Sequence, residues 1–176
     1  MSSMFHFQVI VAALLSCSGL FAAPQPVSAF IEGKTLAGEG SITVGNVRVR
    51  FSDGHTERWT KLGQCHDPKV SAAGHVGWCR YQEIDPVRLA LRKASVRVRL
   101  PDGTLRDFDA AFERFIIEKW CFADHDSTLV IVSSNEHSLM WAVKFDLRSG
   151  EVVEAVSSRE KPGDRPAWSK GYLPEW

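Results

Sequence analysis

The sequence predicts an all-β protein of antiparallel, blade-like sheets, and three observations carry that expectation. Two runs, Val47-Arg48-Val49-Arg50-Phe51 and Val96-Arg97-Val98-Arg99-Leu100, alternate apolar and charged residues, the period of a strand with one wet face. Each run leads into an Asp-Gly dipeptide, Asp53-Gly54 or Asp102-Gly103. Asp-Gly between strand-like runs marks a hairpin, because glycine supplies the positive φ that two-residue primed turns need. The segment V-R-V-R-F-S-D-G beginning at 47 returns as V-R-V-R-L-P-D-G beginning at 96, so the chain repeats a strand–turn unit.

The chain opens on an address. Residues 1–29 contain no Lys, Arg, Asp or Glu, and Phe7–Ala23 is nearly continuous apolar sequence. Val27-Ser28-Ala29 fits the small-residue rule for leader removal, so 1–29 reads as a signal peptide cut after Ala29, with Ala22 and Ala23 as alternative positions. Export to the periplasm or the medium follows. Leu14-Leu15-Ser16-Cys17 resembles a bacterial lipobox, which would instead anchor the protein through a lipidated Cys17. As an uncleaved span the run falls short of the roughly 20 apolar residues that a membrane helix needs, so no membrane span is expected after processing.

The strands then follow in order. Val47–Phe51 returns through His55–Thr60. Val76–Tyr81 and Thr128–Val132 are β-rich runs suited to buried inner strands. Val87–Arg92 alternates and is read as a strand, although Asp85-Pro86 would also cap a short helix. Val96–Leu100 returns through Thr104–Phe108. Leu139–Leu147 puts Trp141, Val143 and Phe145 on one face, and Ser149-Gly150 turns the chain into Glu151–Val156. The β-repeat domain therefore covers 30–156, and the polar, Pro- and Gly-rich 157–176 reads as a loose tail. Gly38-Glu39-Gly40 reads as a turn, without the strand–loop–helix context of a phosphate loop.

Cysteine usage fits export. Beyond Cys17 remain Cys65, Cys79 and Cys121, an odd set that implies one disulfide and one spare thiol. Cys65–Cys79 is the expected pair by nearness in sequence, with Cys79–Cys121 as the alternative.

A further element recurs loosely. Pro68–Gly74 precedes the Val76 strand, Trp120–Asp124 precedes the Thr128 strand, and Pro166-Ala167-Trp168-Ser169-Lys170-Gly171 looks like the opening of another copy. An opening of this kind, then an apolar strand, then a strand ending in Phe145-Asp146-Leu147-Arg148-Ser149-Gly150, resembles the TolB-type (WD-repeat-like) β-propeller repeat. The resemblance spans roughly residues 40–171 and implies four-stranded blades. A closed propeller takes at least about four blades of about 40 residues. This chain holds about two, so the array is expected to be open or to be completed by oligomerisation. Propeller-repeat proteins of this kind mostly serve as binding or assembly platforms, and the resemblance implies no particular ligand.

Charge excludes some functions. Twenty-one Lys+Arg balance 21 Asp+Glu, against the basic footprint of a nucleic-acid binder and against a polybasic membrane surface. Ligand-type residues are sparse, and the sequence implies neither cofactor nor metal. Cys65, His66, His75 and Cys79 come nearest to a zinc set, but adjacent residues of an extended chain point to opposite faces. His125 lies between Asp124 and Asp126, a pattern of tight turns, with His137 downstream. The expected function is therefore an exported, non-catalytic binding or assembly module. It would meet a protein partner, or a second copy of itself, through its sheet edges. Its candidate contacts are an arginine face of Arg48, Arg50, Arg97 and Arg99 and the tail tryptophans Trp168 and Trp176. The alternative is an exported hydrolase or metal-dependent enzyme using His66, His75, His125 or His137.

Overall fold

The computed structural model describes residues 23–36, 41–85, 90–92, 94–110, 116–135 and 139–174. Its elements are β1 (Pro26–Leu36), β2 (Ile42–Phe51), β3 (Thr56–Arg58), β4 (Cys65–Val70), β5 (Val76–Arg80), β6 (Glu83–Asp85), β7 (Ala90–Arg92), β8 (Ser95–Arg99), β9 (Leu105–Asp109), β10 (Ile116–Ala123), β11 (Thr128–Ser134), β12 (Met140–Asp146) and β13 (Val152–Ser157). All the pairings are antiparallel. Two four-stranded blades result. The first is β4-β5-β8-β9, with the small β6–β7 hairpin inserted between β5 and β8, and the second is β10-β11-β12-β13. The expected open, two-blade, all-β architecture is what forms. No helix among the described residues is long and apolar enough to cross a membrane.

The repeated segment builds the same hairpin twice. In both copies the residue before the loop receives a bond from the glycine N–H, at 2.9 Å for Gly54 to Phe51 and 2.9 Å for Gly103 to Leu100. Only the glycines adopt positive φ, +89° at Gly54 and +88° at Gly103, while Asp53 and Asp102 do not. These are therefore three-residue loops closed by a left-handed glycine rather than the two-residue primed turns expected from Asp-Gly. The aspartates accept the N–H two residues on, His55 at 3.2 Å and Thr104 at 2.8 Å.

The main core lies between the blades. Cys79, Val96, Val98 and Phe108 of the first blade meet Ile117, Trp120, Leu129, Ile131, Val143 and Phe145 of the second. Each fully buried aliphatic contributes roughly 1.5–3 kcal/mol relative to exposure. Gly77 faces this core, and a Cβ there would sit 2.6 Å from Trp120 Cη2. The missing side chain is what lets the indole lie on the backbone of β5. The Asp124-His125-Asp126 turn joins β10 to β11 with all three residues left-handed, at φ 49°, 55° and 65°, a region that Asp and His populate more readily than most. Asp126 accepts the Ala73 N–H at 2.9 Å, which pins the turn to the first blade.

Both outer faces are covered by the chain itself. At one end, β1, β2 and β3 fold over the first blade. Gly33 and Gly45 are paired across β1–β2, and a Cβ on Gly45 would lie 2.3 Å from the Glu32 carbonyl oxygen. β2 meets β4 at one register pair, Gly45 with Cys65. Beyond it Val47 and Val49 pack on Cys65, Val76 and Trp78, with Ala29, Ile31 and Trp59 around them. At the other end, the C-terminal segment is docked, a correction to the loose tail expected over 157–176. Leu173 is buried with Val130, Val132, Ala142 and Val156, and Trp168 and Tyr172 pack around it. Arg165 donates to the carbonyls of Ser158, Glu160 and Pro174. Apolar side chains on the outward face of β11 and β12 require such a cover, and polarity read along the tail does not reveal it.

Two further readings meet the described structure in part. Ala90–Arg92 of the predicted 87–92 strand is β7, and 86–89 lie outside the described residues, as do Gly38-Glu39-Gly40. β1 begins at Pro26, so Pro26–Ala29, read from the sequence as the end of the leader, form the start of a strand.

Candidate functional site

The arginine face divides into two. In β8, Val96 and Val98 turn inward to the second blade, so Arg97 and Arg99 point out. In β2, Val47 and Val49 turn onto the outer face of the first blade, which sends Arg48 and Arg50 to the opposite surface. The same V-R-V-R pattern thus presents its arginines on different sides, because β2, joined to the blade only at the Gly45–Cys65 pair, lays its valines on the outer face of β4 and β5 while the valines of β8 face the second blade. Arg48 is absorbed by Glu32, at 2.7 Å. Arg58 binds the same carboxylate, and the Arg48 and Arg58 guanidiniums together hold the Glu32 carboxyl below its usual range.

Arg97 and Arg99 belong to a cavity of about 220 Å³ on the outer face of the first blade. The register builds it. Trp78 pairs with Arg97, and Arg97 with Asp107, while Arg99 pairs with Leu105, and the Trp59–Gln64 connection closes the rim. Among the described lining residues four are cations, Lys61, Arg80, Arg97 and Arg99, and none is an acid. Beside it, Asp107 accepts two bonds from Arg97, from Nε at 2.6 Å and from Nη2, and lies 3.6 Å from Arg80 Nη1. The Arg97 guanidinium holds the Asp107 carboxyl low. Among the described residues Arg99 makes no such ion pair, although Glu57 feels its charge. Its guanidinium lies over the Trp59 ring, 4.4 Å from the centroid, and the Trp59 indole is committed to Glu57 at 2.8 Å. Trp59 meets Trp78 edge-on at 6.3 Å, and Trp78 Nε1 is buried without a partner. The cavity therefore offers excess positive charge against an aromatic wall, a combination suited to an anion carrying an apolar body. Cys65 also lines it, and burial pushes its thiol up, away from the reactive thiolate.

The other candidates do not converge. Trp168 is engaged internally, with its indole donating to Glu154 and Lys144 over its ring at 5.1 Å. Trp176 and His137 lie outside the described residues. His66 sits near the Tyr81 ring, His75 packs beside Phe122, and His125 is exposed at its turn. Burial lowers the basicity of His66 and His75. None of these three lines the cavity, and no group of three or more His, Cys, Asp or Glu that would hold a metal occurs among the described residues.

The Cys65–Cys79 disulfide is overturned. Cys65 pairs with Arg80 and Cys79 with His66, so strand alternation sends the two thiols to opposite faces of the sheet. Cys65 lies in the outer cluster, Cys79 in the inter-blade core, and Cys121 under the docked tail, 3.2 Å from the Tyr172 hydroxyl. The Cys79–Cys121 alternative fails for the same reason, and all three are free. Intact mass of the unfolded protein is expected to be unchanged by reductant; a gain of two hydrogens would contradict this arrangement.

The signal that sequence reading missed was Trp59, whose role depends on the hairpin that carries it over β8. Among solved structures, the chain is similar to the β-propeller domain of the Trilobed protease from Pyrococcus furiosus, a domain with an open velcro topology. The TM-score is 0.50 at 14% identity, covering 82% of this chain and 44% of that one. The chain thus spans less than half of that domain, and at this identity the likeness speaks of the fold alone. No family model and no curated protein matches the chain.

Proposed function

We propose that this chain is an exported, non-catalytic binding module of TolB-type propeller repeats, and that it takes an anionic side group of a protein partner in the Arg97–Arg99 cavity. The observation that carries the reading is Arg99, a guanidinium held against Trp59 with no ion pair to a carboxylate among the described residues, in a cavity whose described lining holds four cations and no acid, with Glu57 close enough to feel its charge. Asp107 offsets part of that charge. The surplus favours an anion, and the aromatic wall favours one presented on an apolar segment. Among the described residues no strand pairs with the outer edge of β9, whose Leu105 lines the cavity and is 54% exposed, so an extended partner segment has both an edge to pair with and a cavity to fill.

Titration of tryptophan fluorescence with a synthetic peptide of alternating Glu and Val, against its Gln-for-Glu counterpart, tests this. The Glu peptide is expected to give a saturable change that weakens with salt. Arg99→Ala is expected to weaken it at least about tenfold, the scale of one charge-assisted hydrogen bond at about 1.5–3 kcal/mol. Equal response to both peptides, or an Arg99→Ala variant that binds as the parent does, would overturn the proposal.

A further inference from the structure

We infer that His55 is a proton-dependent positioning residue for the Arg99 site: through Glu57 it fixes the Trp59 wall, so that anions bind more tightly while the imidazole carries its second proton. This rests on the anion-site reading above and names how that site is regulated.

The relay is built within one short hairpin. His55 Nδ1 lies 2.5 Å from Asp53 Oδ1, and Nε2 lies 3.4 Å from Glu57 Oε1. A neutral imidazole has one N–H, and only the imidazolium donates from both nitrogens. A ring with a carboxylate at each nitrogen is therefore complete only in its charged form. Phe51 holds that ring in place, stacked on it at 4.3 Å and 6°. The other oxygen of Glu57 accepts from Trp59 Nε1 at 2.8 Å, and Trp59 is the ring beneath the Arg99 guanidinium. His55 thus reaches the cavity wall through a single carboxylate.

Loss of the proton acts twice, in the same direction. With Nδ1–H kept on Asp53, Nε2 turns a lone pair toward Glu57. Glu57 loses a donor and is left to the pull of Arg99, whose charge it already feels. Drawn that way, it leaves the Trp59 indole and offsets the positive charge that an anion needs. The hairpin also gains one net negative charge beside the cavity. The charged groups facing the relay are Asp53 and Glu57 at His55, and Arg99 at Glu57. Arg58 and its β2 partner Arg48 both turn to Glu32, and Arg50 shares Arg48's face of β2. The bond to Asp53, and after it the one to Glu57, raises the His55 pKa above its ordinary value. The extra affinity is therefore present below that raised pKa and is lost as pH rises through it.

Two measurements between about pH 6 and about pH 9, where the peptide's Glu side chains stay ionised, test this. The first is NMR titration, without ligand, of the His55 ring and the Trp59 indole N–H, assigned by their loss in His55→Gln and Trp59→Phe. Both signals are expected to move with one shared midpoint, above the roughly 6.5 of an unperturbed histidine. The Trp59 shift is expected to vanish in His55→Gln and in Glu57→Gln, whose amide oxygen still accepts from Trp59 but carries no charge. The second is affinity for the alternating Glu and Val peptide. In the wild type it is expected to fall about two- to fivefold through the same midpoint, the scale of an exposed ion pair, and in both Gln variants to stay level. A Trp59 signal indifferent to the His55 titration, or a wild-type affinity that does not fall through the midpoint, overturns the inference while leaving the anion site intact. A peptide that binds at no pH overturns the anion-site reading itself, and the Trp59 titration still confirms or refutes the relay.

Discussion

Trp120→Ala is expected to lower stability by about 3–5 kcal/mol, a large share of the 5–15 kcal/mol that typical domains possess. Trp120 is 1% exposed and lies between the blades. Its ring packs edge-on against Phe122 at 5.4 Å, and Lys69 Nζ lies 4.6 Å from its centroid while donating to the Trp120 carbonyl. Its removal leaves a cavity at the seam that makes two blades one body. The seam is tested more sharply through Gly77. Gly77→Ala places a Cβ 2.6 Å from Cη2 and 3.0 Å from Cζ3 of that ring, overpacking of a kind that costs about 1–3 kcal/mol. In the Trp120→Ala background the same substitution has room and is expected to cost close to nothing. A double-mutant cycle by urea denaturation reads this coupling. Additive costs would mean that Trp120 and Gly77 are not in the contact described.

Gly45→Val is expected to detach the β1–β3 layer, at a cost of about 3 kcal/mol or more, beyond ordinary overpacking because the obstacle is backbone. A Cβ on Gly45 would meet the Glu32 carbonyl oxygen at 2.3 Å and Gly33 Cα at 2.5 Å, and one on Gly33 would meet the Val44 carbonyl oxygen at 1.9 Å. Neither neighbour is a side chain that can rotate away, so the ladder itself must separate. Val47, Val49 and Trp59 then leave Cys65, Val76 and Trp78, and the wall that holds Arg99 is lost with them. Lowered unfolding midpoint together with red-shifted tryptophan emission is the expected result. Gly163→Ala, with open space around it and no positive φ, is the control expected to change neither.

Much of the fold was legible because strand alternation and turn chemistry are local. The V-R-V-R runs, their Asp-Gly turns and the Asp146–Gly150 turn all form as hairpins, and Gly150 adopts φ +84° as its place requires. β1 was hidden because Val27-Ser28-Ala29 reads equally as a cleavage motif and as a strand, and local sequence does not distinguish the two. The site was half legible. Arg97 and Arg99 stood out by their spacing, as did Arg48 and Arg50, but spacing does not say which of two apolar stripes meets which neighbour. The disulfide expectation failed on the same point. Cys65 and Cys79 are close in sequence and on adjacent strands, yet closeness along the chain carries no information about which side of the sheet each thiol occupies.

By itself, then, the amino-acid sequence determined that this chain builds antiparallel hairpins from a repeated strand–turn unit, how many blades its length allows, and that its charge is balanced. Those properties follow from periodicity, from the backbone freedom of glycine and from composition, each of which acts within a few residues. Tertiary structure alone decided which face of each strand is buried, that the two outer sheet surfaces are covered by the chain's own ends, and that Trp59 comes to lie over Arg99. Those outcomes depend on how sheets stack across tens of residues, where an alternating strand offers two faces and only the packing of its neighbours selects one.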